Sequence, residues 1–303
     1  MVFHFLDVDD FTAAALRRVL DRARAWKEEP GKVPPLLAGQ SLAALFEKPS
    51  ARTRVSFEVA VVTLGGHCVT LRGEELGLGQ RESVADVART LASYCPLIGA
   101  RVFDHGVLEE MARVAGVPVV NLLSNRAHPG QAVGDLLTLE ERWGHSVEGR
   151  RLVFVGDGNN VAASLALAAA LTGLEMVISS PLGYELDDSV VERARNLGGV
   201  VDLVPDPYDA VDGADAVYTD VWTSMGQESE AEARQVAFAP YQVNAALLAA
   251  AGSTPVFLHC LPARRGQEVT DEVLDGPASA VWTQTENRMH SYRAVLAELA
   301  EAL

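Results

Sequence analysis

The stretch Leu42-Ala43-Ala44-Leu45-Phe46-Glu47-Lys48-Pro49-Ser50-Ala51-Arg52-Thr53-Arg54 decides how the chain is read. Leu42 to Phe46 is an apolar run of buried-strand length. Pro49 ends it, because the proline ring lacks an N–H and biases Lys48 away from helix. Ser50 then stands at an N-cap position, and an amphipathic helix is expected from Thr53 to Leu64. Free backbone N–H groups, a positive helix end, two hydroxyls and two arginines thus meet at one point. Phosphate is the anion that suits such a point best.

Working outward, helical and strand-like runs alternate along all 303 residues. Helices are expected over Phe11–Lys27, Ser83 to about Ala92, Val107–Ala115, from Pro129 to Trp143, and over Val161–Leu171. A last helix is expected from Glu286 to the C-terminus. Strands are expected at Cys68–Leu71, Leu97–Val102, Val117–Leu122, Leu152–Val155, Met176–Ser179, Val200–Val204, Ala216–Thr219 and Val256–His259. A Gly-rich polar loop is expected over Arg72–Gln80. Repeated β–α units with apolar strands mean an α/β protein whose mostly parallel sheets are covered by helices on both faces. The length suggests two domains. The polar stretch Trp143–Gly149 divides them into residues 1–145 and 146–285, with the helix from about 286 to 303 packing back onto the first.

Composition narrows the function. A net charge of −16 argues against a nucleic-acid or acidic-membrane partner, so any anion site is a local basic cluster. No apolar run has the length of a membrane span. Met1–Asp10 lacks a basic start and carries Asp7, Asp9 and Asp10, which does not fit a signal peptide and suggests the cytoplasm. Cys68, Cys95 and Cys260 match no disulfide or zinc spacing, and Cys68 and Cys95 read as small buried hydrophobes. In parallel sheets ligands bind beyond the carboxyl ends of the strands. The polar clusters Ser50–Arg54, Arg101, His128–Gln131, Gly156–Asn160, Asp220–Gly226 and His259–Pro262 all fall there.

These clusters, in order, resemble the motifs of the aspartate/ornithine carbamoyltransferase family, and of its ornithine branch. Ser50-Ala51-Arg52-Thr53-Arg54 resembles the carbamoyl phosphate loop, with Ala51 in place of the usual Thr. His128-Pro129-Gly130-Gln131 resembles the His-Pro-x-Gln motif. Asp220-Val221-Trp222-Thr223-Ser224-Met225-Gly226 resembles the Ser-Met-Gly loop, and His259-Cys260-Leu261-Pro262 the His-Cys-Leu-Pro motif. Gly156-Asp157-Gly158-Asn159-Asn160 and Glu286-Asn287-Arg288 also match.

The resemblance implies carbamoyl transfer from carbamoyl phosphate to L-ornithine, giving L-citrulline and phosphate in arginine biosynthesis, with no metal or organic cofactor. It implies that Ser50, Ala51, Arg52 and Thr53 hold the phosphate, and that Arg101 and His128 contact the carbamoyl oxygen. Gln131 would read the carbamoyl NH2, and Arg288, Cys260 and Leu261 would complete the carbamoyl phosphate contacts. Asn160 would bind the ornithine carboxylate; Asp220, Ser224 and Met225 would bind its α-ammonium group. Asp220, Cys260 or the phosphate itself would take the proton of the attacking amine. Arg54 is either a phosphate ligand or structural, and His259 reads as a packed strand-end histidine. A family residue that reaches carbamoyl phosphate from the loop after the second strand aligns with Gly77, and Gln80 stands nearby as a substitute. In the family that loop crosses between subunits, so a homotrimer, or a higher assembly of trimers, is expected, with the site in the cleft between domains.

Other readings fare worse. Gly156-x-Gly158 after a strand invites a nicotinamide-dependent dehydrogenase, but Val161 stands where the third glycine is needed. A phosphate-binding regulator has no need of His128, Gln131, Asp220 and Cys260 together. Transfer to putrescine or acetylornithine is opposed by Ser224-Met225-Gly226.

Overall fold

The structure is a computed structural model that describes residues 2–224 and 226–301. It divides into two compact units, residues 1–137 with 286–303, and residues 138–285. Helices of eight or more residues are numbered here. The first unit runs α1 (Ala13–Glu28), β1 (Ser41–Phe46), α2 (Ala51–Thr63), β2 (His67–Arg72), α3 (Val84–Tyr94), β3 (Ile98–Arg101), α4 (His105–Ala115), β4 (Val119–Leu123) and the start of α5 (Pro129–Trp143). The second contains β5 (Arg151–Val155), α6 (Asn160–Thr172), β6 (Glu175–Ser179), α7 (Asp188–Asn196), β7 (Val201–Leu203), β8 (Ala216–Thr219), α8 (Ala231–Phe238) and β9 (Val256–His259). The chain returns to the first unit along α9 (Val281–Ala300).

Both sheets are parallel. The first has the order β2-β1-β3-β4 and the second β7-β6-β5-β8-β9. Phe5 extends the first sheet beyond β4, its N–H donating to the Val119 carbonyl at 2.8 Å. The α/β reading and every expected strand are found, with ends moved by at most two residues.

Burial explains the strands. Ala43, Leu45, Ile98, Ala100 and Val119 face Val87, Leu91, Leu108 and Met111 of α3 and α4. Phe57 of α2 covers the opposite face, so close to Gly99 that a Cβ there would lie 2.9 Å from its ring. In the second unit Val153, Val155, Val177, Val217 and Phe257 form one core with Leu247 and Val273. Each such large side chain, when fully buried, contributes about 1.5–3 kcal/mol.

Three expectations are corrected. Residues 72–80 are not an open loop: Gly73–Leu76 form a helical turn, because Glu75 caps the Arg72 N–H at 2.9 Å and Gly77 closes the turn in the left-handed region. The last helix begins at Val281, five residues earlier than expected, since β-branched and aromatic residues there hid the helical period. Cys68 is only half-buried, because β2 is an edge strand, whereas Cys95 is buried as expected. Burial still pushes the Cys68 thiol up to about 11.

Gly130 and Gly134 let α9 approach α5. A Cβ on Gly130 would meet the Tyr292 ring at 2.4 Å, and one on Gly134 would lie 3.3 Å from the Arg288 backbone. Tyr292 is fully buried and cannot retreat. Gly130→Ala therefore lowers stability by about 1–3 kcal/mol in urea unfolding, whereas Gly31→Ala, with nothing within 4 Å, leaves the midpoint unchanged. An unchanged midpoint for Gly130→Ala would refute the contact.

Candidate active site

In the first unit, the loop after β1 delivers Ser50 as the N-cap of α2, its Oγ accepting from the Thr53 N–H at 3.3 Å. Thr53 is fully buried, and its Oγ1 collects donors. Ser50 Oγ donates to it at 3.0 Å, Arg101 Nη1 at 3.2 Å and Arg288 Nη2 at 2.5 Å. Arg101 comes from the end of β3, where the register with β4 shifts. Arg288 comes from α9 and also reaches His128 Nε2 at 2.9 Å. Thus Ser50, Thr53, Arg101, His128 and Arg288, far apart in sequence, meet in one place. Ala51 and Arg52 open α2 beside them.

Burial holds His128 well below the ordinary histidine value, and the nearby Arg288 and Arg101 add to the effect. The ring is neutral, so Nε2 accepts from Arg288 and the hydrogen resides on Nδ1. Gln131, one turn of α5 further on, donates its Nε2 to Asp135 Oδ1 at 2.7 Å. Lys48 sits beside this cluster with its ammonium 4.3 Å from the Phe103 ring centroid; burial and Arg101 lower its pKa.

Arg54 stands apart. Its Nε binds Glu58 at 2.8 Å and Glu58 binds Thr70, which is the structural alternative. Gly77 has φ +60°, and a Cβ there would lie 2.8 Å from Arg81 Cβ, so a longer residue does not fit this turn. Gln80 is exposed and its side chain makes no hydrogen bond among the described residues.

In the second unit, Asp220 follows β8 and is the centre of a second cluster. Its Oδ2 accepts from Asn159 Nδ2 at 2.8 Å, and its Oδ1 from the Val221 N–H at 2.8 Å and from Cys260 Sγ at 3.1 Å. Asn159 caps α6 and Asn160 is its first residue. A Cβ on Gly158 would come 2.2 Å from the Leu186 N, so the turn closes only with glycine. Ser224 donates its N–H to Gln227 Oε1 at 3.0 Å. Met225 lies outside the described residues.

His259 is fully buried; Nδ1 accepts from the Leu261 N–H at 2.9 Å and Nε2 donates to Glu268 at 3.1 Å. It is the packed histidine that the sequence suggested, and it shapes the turn that presents Cys260 and Leu261, whose φ is +58°. Asp220, His259 and Cys260 have possible metal-ligand atoms within 4.8 Å of one another. Both His259 nitrogens are bonded elsewhere, to Glu268 and the Leu261 N–H, and within the trio the Cys260 thiol donates to Asp220.

The sequence reading missed two residues here. Asn159 orients Asp220, and its N-cap position was the available signal. Arg234 of α8 binds Asp157 at 2.9 Å and the Trp222 carbonyl at 3.0 Å, joining the turn after β5 to the Asp220–Gly226 loop. Nothing local announced it. Burial pushes the Asp157 carboxyl up to about 6 against the pull of Arg234.

Two family models match, covering nearly the whole chain. The carbamoyl-P binding domain of aspartate/ornithine carbamoyltransferase matches residues 4–141, and its Asp/Orn binding domain matches residues 148–299. The chain belongs to the aspartate/ornithine carbamoyltransferase family. Within this family, it is 48% identical over 298 residues to the anabolic ornithine carbamoyltransferase of Pyrococcus furiosus, covering 96% of this chain and 94% of that one. It is 49% identical over 306 residues to the ornithine carbamoyltransferase of Acidothermus cellulolyticus, covering 100% and 98%. The crystal structure of ornithine carbamoyltransferase from Thermus thermophilus superposes with a TM-score of 0.90 at 45% identity, covering 99% of each chain.

His128 is expected to stay neutral in the folded protein. Below the ordinary value of 6.5 the unfolded chain binds a proton that the folded chain refuses, so this stabilisation is full above that pH and is lost as pH falls. Each pH unit below it costs up to about 1.4 kcal/mol. NMR of the His128 ring should show no titration between about pH 7.5 and about pH 5.5; a midpoint in that window would contradict the assignment.

Proposed function

We infer that this enzyme transfers the carbamoyl group of carbamoyl phosphate to the side-chain amine of L-ornithine, giving L-citrulline and phosphate. The observation that carries the reading is the convergence of Arg101 and Arg288 on Thr53 at the capped start of α2, with neutral His128 bonded to Arg288. Two buried guanidiniums beside a helix N-terminus suit an acyl phosphate and the charge that develops as its phosphate leaves. Matching family models and relatives named ornithine carbamoyltransferase supply the substrates.

The residues divide the work. Ser50, Ala51, Arg52 and Thr53 hold the phosphate through hydroxyls, guanidinium and helix N–H groups. Arg101 and His128 donate to the carbamoyl oxygen, where one donor is worth about 3–4 kcal/mol in comparable sites. Neutral His128 can donate from its ring N–H without an imidazolium. Gln131 reads the carbamoyl NH2, and Arg288, Cys260 and Leu261 complete the carbamoyl phosphate contacts. Asn160 binds the ornithine carboxylate, and Asp220, Ser224 and Met225 its α-ammonium group.

The attacking nitrogen forms the new C–N bond as the C–O bond to phosphate breaks, and it sheds one proton. Three donors already converge on Asp220, which supports its role as an ammonium anchor. The departing phosphate is then the better proton acceptor, since the Cys260 thiol already donates its own hydrogen to Asp220. Residues 1–145 with about 286–303 are the proposed carbamoyl phosphate domain, and 146–285 the ornithine domain.

We further propose a cytoplasmic homotrimer acting in arginine biosynthesis. Val55, Val59 and Val62 lie at helical spacing on α2 and are 57%, 41% and 60% exposed, and Val69 is exposed on the edge strand β2. Such an apolar face favours burial against a second copy. Three free cysteines fit a reducing compartment.

Purified protein should form citrulline rapidly with carbamoyl phosphate and L-ornithine, and no product with putrescine, N-acetyl-L-ornithine or aspartate. Product from another amine would overturn the acceptor assignment. Arg52→Ala should lower kcat/KM by about 10²–10³-fold, mainly through carbamoyl phosphate binding, and near-normal turnover would refute the phosphate loop. Val59→Glu combined with Val62→Glu should convert a three-chain mass to a single chain in light scattering. A monomeric parent protein would exclude the trimer.

A further inference from the structure

Gln131 and Asp135 form a buried pair one turn apart on α5, 1% and 0% exposed. The 2.7 Å contact joins the amide Nε2 to the carboxylate Oδ1. A carboxylate only accepts, so the amide must turn its NH2 toward Asp135; the opposite orientation would bring two oxygens together. The other end of the amide is thereby fixed. Gln131 Oε1 is buried and has no hydrogen-bond partner among the described residues. A buried acceptor left so is destabilising, and only a donor from outside can relieve it.

His128, which joins Arg288 at the carbamoyl phosphate cluster, precedes Gln131 by three residues. At neutral pH the ligand atoms of carbamoyl phosphate that can donate are those of its NH2 group; its phosphate and carbamoyl oxygens accept. We propose that Asp135 is a positioning residue that locks the Gln131 amide with its oxygen toward the substrate, so that the site demands an NH2 and rejects acetyl phosphate, which carries a methyl group there. This rests on the carbamoyl phosphate reading of the site. The selectivity follows from the orphaned acceptor: a donor satisfies it, and a methyl group leaves it buried and unpaired, the situation in which polar sites discriminate most strongly.

The test compares affinities for carbamoyl phosphate and acetyl phosphate in the full-length protein by calorimetry. The parent protein should prefer carbamoyl phosphate strongly. Asp135→Asn keeps the shape but can donate as well as accept, so the Gln131 amide can reverse. The preference should then fall by at least about tenfold, with inorganic phosphate affinity unchanged. In a Gln131→Ala background, Asp135→Asn should change the preference no further. Asp135→Glu, which retains an acceptor-only group, should keep the preference, and it serves if Asp135→Asn does not fold.

A folded Asp135→Asn protein with undiminished preference overturns the proposal. So does loss of preference in Asp135→Glu, or an added effect in the Gln131→Ala background. If the parent protein binds no carbamoyl phosphate, the underlying site assignment fails first, before any variant is compared.

Discussion

Two buried guanidiniums share one hydroxyl, and the first unit is arranged to make that tolerable. Arg101 and Arg288 both donate to Thr53 Oγ1 in a chain of net charge −16. Burial, with the charges of these two arginines beside it, keeps His128 neutral, and the neutral ring then gives Arg288 an acceptor. Arg288 reaches this point because α9 packs tightly on α5, and that packing requires the bare backbone of Gly130 and Gly134 against Tyr292 and Arg288. A local concentration of positive charge, bought with buried hydrogen bonds, is what an acidic protein needs to hold a dianion.

The second unit solves the complementary problem around one carboxylate. Asp220 is fixed by a side-chain amide, a backbone N–H and a thiol, each from a different part of the chain. Behind it, the His259–Glu268 pair sets the turn that carries Cys260 and Leu261. Arg234 ties Asp157 to the Trp222 carbonyl and stacks over the Tyr184 ring at 4.8 Å. These supports hold in place groups that would otherwise sit on loops, where precise chemistry is hardest to maintain.

The same logic explains the chain's departures from its family's motifs. Ala51 loses a hydroxyl, but Ser50 and Thr53 still cap the helix through their own oxygens and N–H. Gly77 replaces a longer residue within a turn that has no room for a Cβ beside Arg81.

Strand and helix identity was legible because it depends on local periodicity. Leu42–Phe46, Pro49 and Ser50 announce a strand, a stop and a cap without reference to anything distant. The motif residues were legible too, since their order matches the pattern of the family to which the chain belongs. What the sequence could not determine are the partnerships across long separations. Nothing near Thr53 says that Arg288 will donate to it, nothing near Asp157 points to Arg234, and the two adjacent asparagines do not say that Asn159 is the one that holds Asp220. Those choices depend on which backbones approach closely enough for a hydrogen bond, and only the packed tertiary structure sets that distance.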